Sequence, residues 1–431
     1  MSSAPQASIY SGGMSSLAAG SRLRAFAQSG TGIAVAMAVT NVASYAYTMV
    51  AARVLGPREY GAFAGLMATL LVFGVLQLGL QATAARRISA EPEHVGQIEK
   101  SIMKVSYRAS FALGGLLLLA APVINAVLRL DNLLAAALVG IAVVPTSIMG
   151  AQAGILQGER RWLPLGAVYL GVGIPRLAIG TMLIVWRPSV ELAMLGVTIA
   201  LLVPVAIGAV ALRHKRVAGF HQDHRGRAVL RETVQNSQAL LALFAISNID
   251  VVIARNVLDE HDAGLYAAGL IMVKAVLFLP QFVVVVAFPS MSSPGERRRA
   301  LVRSLALVAA IGVVAVLSSW LLQDLALKFV GGDEYAEIAR TLWLFAALGT
   351  LLAMLQLLLY SVLARRGQRS VYAVWLALVV MVVGGLTTAS LTGLLTVVMA
   401  VDGLLFSALL VATFTILRRT APDREPVGAG R

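Results

Sequence analysis

Runs of about 20 apolar residues, parted by short polar breaks, recur from residue 32 to residue 417 and leave few folds open to this chain. Twelve can be placed, at 32–52, 61–84, 106–128, 133–156, 165–186, 191–212, 236–257, 263–289, 301–322, 338–363, 370–391 and 394–417. A helix rises 1.5 Å per residue, so each run spans a hydrocarbon core about 30 Å thick. No water reaches an exposed N–H or C=O there, so each run must be helical. Only 13% of the 431 residues are charged and 58% are hydrophobic, whereas soluble domains are about a quarter charged. The expected fold is all-α: a polytopic membrane protein of twelve transmembrane helices. The last two runs leave room only for a tight turn at Ser390–Thr392.

Charge sets the orientation. The loops at 85–105, 157–164, 213–235, 290–300 and 364–369, with the flanking Arg108 and Arg303 and together with both tails, carry 26 lysines and arginines. The opposite side carries seven, namely Arg53, Arg58, Arg129, Arg187, Arg255, Lys328 and Arg340, and Arg176 and Lys274 lie within runs. By the positive-inside rule the first set is cytoplasmic, both termini are cytoplasmic, and odd-numbered spans run outward across the inner (cytoplasmic) cell membrane. The net charge of +14 then reflects topology and contact with anionic membrane lipids, not nucleic acid. Residues 1–29 lack the apolar core of a signal peptide and read as a disordered cytoplasmic tail. Residues 418–431 read as a second tail, and 213–235 as a basic elbow at the interface. The outer loop near 323–337 has room for a short helix.

There is no cysteine, so thiol chemistry is excluded. His94, His214, His221, His224 and His261 lie in loops, and the three that cluster have only arginines for company. No metal site and no cofactor are expected. No loop outside the membrane is large enough for an enzyme, so a saccharide polymerase or ligase is set aside, and no catalytic residue is assigned.

The chain carries an internal duplication. Ala51 to Gly65 reads A-A-R-V-L-G-P-R-E-Y-G-A-F-A-G, and Ala254 to Gly269 reads A-R-N-V-L-D-E-H-D-A-G-L-Y-A-A-G. Arg53 falls on Arg255 and Gly61 on Gly264. Six spans separate the copies, so the halves share one orientation, as in transporters repeated about an axis along the membrane normal. We expect two six-helix lobes, 30–212 and 236–417, around a central cavity.

These hairpins carry a family resemblance. Residues 51–61, with the run from Gly79 to Ile88 ending in Arg86-Arg87, resemble the opening of polysaccharide-export flippases of the multidrug/oligosaccharidyl-lipid/polysaccharide exporter superfamily. S-N-I-D-V-V-I-A-R (247–255) and A-G-L-Y-A-A-G (263–269) resemble the start of their second lobe. The resemblance implies alternating access by a V-shaped, two-lobed fold. It implies as substrate a polyprenyl-diphosphate-linked oligosaccharide moved from the cytoplasmic to the outer leaflet, with saccharide-assembly enzymes as partners. An ion-coupled antiporter of drugs or metabolites on the same fold is the alternative.

Four ionisable residues lie well inside runs: Arg176, Asp250, Lys274 and Asp402. Such groups are costly and usually face a cavity or a partner. Arg176, Lys274 and Asp402 fall near mid-depth, at about 14–16 Å from a span end. Arg176 closes the stretch G-V-G-I-P-R, where Pro175 is expected to break the helix beside it, and a guanidinium can grip a diphosphate. Lys274 either adds a second cation or pairs with Asp250 on the preceding span. Asp250 and Asp402 are the candidates for coupling to H+ or Na+. Arg53 and Arg255, at span ends, either snorkel to headgroups or line the outer mouth of the cavity. Arg86 and Arg87 read as topology anchors.

Overall fold

The computed structural model describes residues 30–213, 226–291, 297–363 and 368–419, and among them every regular element is helical. In chain order the α-helices are α1 Gly30–Phe73, α2 Val75–Ala90, α3 Val95–Leu119, α4 Ala121–Val127, α5 Leu133–Gly158, α6 Trp162–Trp186, α7 Val190–Ala200 and α8 Leu202–Ala211. After residues 214–225 come α9 Gly226–Ile246, α10 Ile249–Val257, α11 Glu260–Met291, α12 Arg297–Leu321, α13 Gln323–Val330, α14 Leu342–Leu363, α15 Gln368–Leu386 and α16 Leu391–Arg419. Every apolar run coincides with one helix or a consecutive pair. Among the described residues nine helical stretches are long and apolar enough to cross a membrane. One of them, Thr31–Ala90, has 60 residues and, at about 90 Å, can fit only by folding back. The reversal is at Gly56, whose φ of 71° favours glycine, followed by Pro57, which needs no hydrogen bond for a missing N–H. Most of the expected tails and the histidine cluster 214–224 lie outside the described residues; the elbow's last part, 226–235, continues helically into span seven.

Helix breaks fall where a local cause exists, and one differs from expectation. Span six divides between α7 and α8 at Leu201, because Pro204 cannot bond to the carbonyl of Ala200. Pro175 does not break its helix: α6 runs through it from Trp162 to Trp186. Opening the helix further would orphan more backbone groups in hydrocarbon, and close packing holds the stretch. Gly171 lies against Pro204 and Gly173 against the main chain of Thr40. The break beside a buried charge occurs instead in span seven, where α9 stops at Ile246 and α10 begins at Ile249. Asn248 bridges the gap by donating from Nδ2 to the Phe244 carbonyl at 2.9 Å. The tight turn before the last span is present at 387–390, with the Gly393 N–H donating to Ser390 Oγ. The outer loop holds α13 and a 3-10 stretch, Asp333–Thr341.

The described chain forms two compact units. The first joins residues up to Thr48 with Phe73–Ile124 and Asn132–Gln238; the second joins Met49–Val72, Asn125–Asp131 and residues from Ala239 onward. In the first, α5 is the central helix. Its Gly150, Gly154 and Gly158 lie against Gln77, Gln81 and Ile88 of α2, and its Gly140 lies against Gly114 of α3. Without Cβ atoms the backbones approach closely, which is how helices associate where lipid removes the hydrophobic drive. In the second unit α14 has this place: Gly349 lies against Val273 of α11, Thr350 against Gly312 of α12, and Phe345 against Gly269. Span four thus packs on two and three, and span ten on eight and nine, so the duplication read from two hairpins extends to the helix packing. Sequence numbers rise together along α2 and α5, and along α1 and α6 through Gly173 with Thr40 and Gly180 with Tyr47. Spans two and four therefore run one way, as do one and five, in accord with the alternation derived from charge.

Gly154→Leu drives a side chain into the Gln81 main chain and should destabilise the protein by about 1–3 kcal/mol. Gly115→Leu, which enters open space, should leave thermal unfolding in detergent unchanged. Since the chain has no cysteine, topology can be read directly. A cysteine replacing Lys100 should react with an impermeant maleimide only from the cytoplasmic side, and one replacing Asp324 only from outside.

Candidate functional site

The four intramembrane charges fall into two loci, one in each compact unit. The first is built on α6. Four of its large exposed residues, Leu163, Ile174, Met182 and Val185, share one side at 100° per residue, a side that is apolar apart from Thr181; Trp186, at the helix end, is exposed outside it. Tyr169 and Arg176 fall on the opposite side. They are seven residues apart, so they share a face at an axial separation of about 10.5 Å. Arg176 therefore points away from the apolar outer face. Its Nε is buried without a hydrogen-bond partner, and among the described residues no carboxylate lies within ion-pair distance. The group in electrostatic range is the phenol of Tyr47, whose hydroxyl donates to the Ala193 carbonyl at 3.1 Å.

Toward the expected cytoplasmic end this face continues as a neutral polar cluster. Gln81 Nε2 donates to Gln157 Oε1 at 3.0 Å and to the Tyr169 hydroxyl at 2.9 Å. Thr40 donates to the Tyr169 carbonyl at 2.6 Å and fixes α1 against α6. The Tyr169 proton, the Gln157 amide hydrogens and the Gln81 carbonyl oxygen keep capacity for further bonds.

The second locus surrounds a cavity of about 200 Å³. Its polar lining comes from Ser247, Asn248, Asp250, Lys274 and Gln356, and the rest is apolar. The α9–α10 break sets its chemistry, because it places Asp250 in the first turn of α10. Asp250 is 4% exposed; its Oδ2 accepts from the Tyr266 hydroxyl at 3.0 Å, and its Oδ1 from the Val251 N–H at 3.0 Å. The fixed Asp250–Lys274 ion pair considered above is not formed. The two interact through space, but no pair within 4.0 Å links them, and Tyr266 is the partner of Asp250. Asp402 on α16 is 1% exposed, with no hydrogen bond to either carboxylate oxygen, and it lies in electrostatic range of Asp250 and Tyr266.

Arg53 and Arg255 line neither locus. Exposed Arg53 donates to the Lys328 carbonyl, and Arg255, 4% exposed, donates from Nε and Nη2 to the carbonyls of Leu128 and Arg129 at 2.8 and 2.7 Å. Arg86 and Arg87, read above as topology anchors, both pair with Glu232 of α9 and so tie two helices together. No group of three or more potential ligands among the described residues could hold a metal ion.

Sequence reasoning passed over Tyr266, Gln81, Gln157 and Tyr169. A search for charges alone finds none of them, yet an amide or phenol in an apolar run also needs a partner, and that signal is visible in the sequence.

Comparison with known proteins agrees with this architecture. The family described as "Polysaccharide biosynthesis protein" matches residues 26–294. No curated protein matches the chain. Among solved structures, the lipid II flippase MurJ in an inward closed conformation aligns with a TM-score of 0.68 at 13% identity, covering 89% of this chain and 87% of its own. An inward-facing multidrug-resistance MATE transporter of the MOP superfamily aligns at 0.67 and 14%, covering 90% and 99%. The Vibrio cholerae MATE transporter VcmN, in its bent form, aligns at 0.60 and 14%, covering 92% and 98%. At these identities the likeness is one of fold. With apolar helices throughout, a transporter fold and a family match over more than half its length, this chain is a multi-pass membrane protein and belongs to the polysaccharide biosynthesis protein family.

Proposed function

We propose that the chain is a flippase that carries a polyprenyl-diphosphate-linked saccharide from the cytoplasmic to the outer leaflet by alternating access, for cell-surface polysaccharide synthesis. The observation that carries this reading is Arg176. A guanidinium at mid-depth, turned from the lipid-facing side and without an acidic partner, is costly unless an anion joins it. A diphosphate supplies that anion and matches the planar donor fork. The Gln81–Gln157–Tyr169 cluster, about 10.5 Å along the same face, offers the mixed donors and acceptors that sugar hydroxyls require. In this reading the diphosphate rests at Arg176 and the first sugars toward Tyr169. Lys274 adds a point charge within the cavity of the second unit, and Arg53 and Arg255 act at the outer side. Membership of a polysaccharide biosynthesis family supports this substrate class over a drug.

Asp250 and Asp402 are proposed to couple the cycle to H+ or Na+. A buried carboxylate such as Asp402, with neither oxygen bonded, is costly to hold ionised unless a cation accompanies it. The same buried acids favour the second reading, an ion-coupled antiporter of drugs or metabolites. Both readings place the protein in the cytoplasmic membrane with its termini inside, and the flippase reading adds saccharide-assembly enzymes as partners.

A deletion strain should accumulate one polyprenyl-linked saccharide in the inner leaflet. Arg176→Gln, at normal protein level, should restore less than about a tenth of wild-type export, since loss of a charge-assisted pair costs about 1.5–3 kcal/mol. Restoration at the wild-type rate would remove Arg176 from the mechanism, and accumulation of no saccharide would favour the antiporter. Asp402→Asn should abolish the dependence of transport on the H+ or Na+ gradient while leaving binding of the lipid-linked saccharide intact.

A further inference from the structure

The duplicated hairpins meet. A Cβ added to Gly61 would lie 2.9 Å from the Cα of Gly264, and one added to Gly264 would strike the main chain of Pro57. Here the matched arginines do the same thing in opposite directions. Arg53, from the first half of the chain, donates to the carbonyl of Lys328, two residues before the end of α13 in the second half. Arg255, from the second half, donates to the carbonyls of Leu128 and Arg129, just past the end of α4 in the first half. Asn256 adds a bond to the Val127 carbonyl at 2.7 Å. By the six-span offset, α4 closes span three and α13 follows its counterpart, span nine. Each arginine therefore caps the carbonyl end of the other half's short outer helix, where the last carbonyls lack helical partners and the helix dipole favours a cation. Residues 49–72 and 125–131 belong to the same compact unit as the residues from Ala239 onward.

We propose that Arg53 and Arg255 form a reciprocal pair of latches that hold the outer ends of the two halves together, and that both must release before the outer side can open. The two are unequal. Arg255 is 4% exposed and holds two carbonyls, with Asn256 holding a third, whereas Arg53 is exposed and holds one. Arg255 is the stronger latch. Its acceptors are main-chain oxygens at fixed spacing, so the fork of Nε and Nη2 matters as well as the charge, and lysine cannot replace it. The neighbouring pairs of Arg58 with Asp131 and Glu260 are solvent-exposed and screened, so they contribute little. The proposal concerns how the outer side closes and does not depend on what is carried.

The lack of cysteine makes the test direct. Ala64 lines the cavity described above, and Ala64→Cys serves as a reporter for an impermeant maleimide added outside intact cells. Outside labelling should be slow with both arginines present. It should rise several-fold in Arg255→Ala and also in Arg255→Lys, rise less in Arg53→Ala, rise most in the double variant, and stay unchanged in Arg58→Ala. Unchanged labelling in a folded Arg53→Ala/Arg255→Ala variant would overturn the proposal. A second experiment leaves both arginines in place. A short bis-maleimide joining Asn256→Cys to Val127→Cys should stop transport, while each single variant treated alike stays active. Full transport in the cross-linked protein would equally reject the latch.

Discussion

In hydrocarbon a peptide group has no partner except another peptide group, and the rest of this structure follows from that constraint. It makes every crossing a helix and keeps the helix intact wherever nothing compensates for opening it. Pro175 shows its strength: a residue that usually breaks helices is carried inside α6, with Gly171 and Gly173 packed against neighbouring backbone. Where the chain does break, a substitute partner stands ready. At Gly56–Pro57 the break uses a left-handed glycine followed by a residue without an N–H, and at 247–248 an asparagine side chain caps the carbonyl of Phe244.

The same constraint sorts the charges. Arg255 is only 4% exposed, yet two carbonyls beyond the end of α4 occupy its Nε and Nη2 and leave only Nη1 unpartnered, so its energy goes into holding one segment to another. Among the described residues Arg176 Nε has no acceptor and Asp402 has no donor. Groups that satisfy each other build structure, and groups left unsatisfied at depth are available to a ligand or an ion. Asp250 lies between these cases, bonded to Tyr266 and a backbone N–H while lining the cavity that Lys274 also reaches.

Much of the fold was legible because its causes are local. Apolar run length alone places each crossing, since it acts residue by residue along the chain. The repeat was visible in only two hairpins because lipid-facing positions accept almost any apolar residue, whereas Gly61 and Gly264 admit nothing larger. The site was legible only in part. Arg176, Asp250, Lys274 and Asp402 stand out as charges in apolar runs, but Gln81, Gln157, Tyr169 and Tyr266 are neutral and come together from helices far apart in sequence.

Taken by itself, the sequence determined where the apolar crossings fall and which charges are buried in them, because solvation by lipid or water is a property of each segment alone. Only the tertiary structure decided which charges are occupied and which are open. Whether a guanidinium meets a carbonyl depends on helix ends some 126 to 275 residues away, and no local rule brings Arg255 to Leu128 and Arg129, or Arg53 to Lys328. The long-range packing that joins those ends also leaves Arg176 Nε without a hydrogen-bond partner among the described residues.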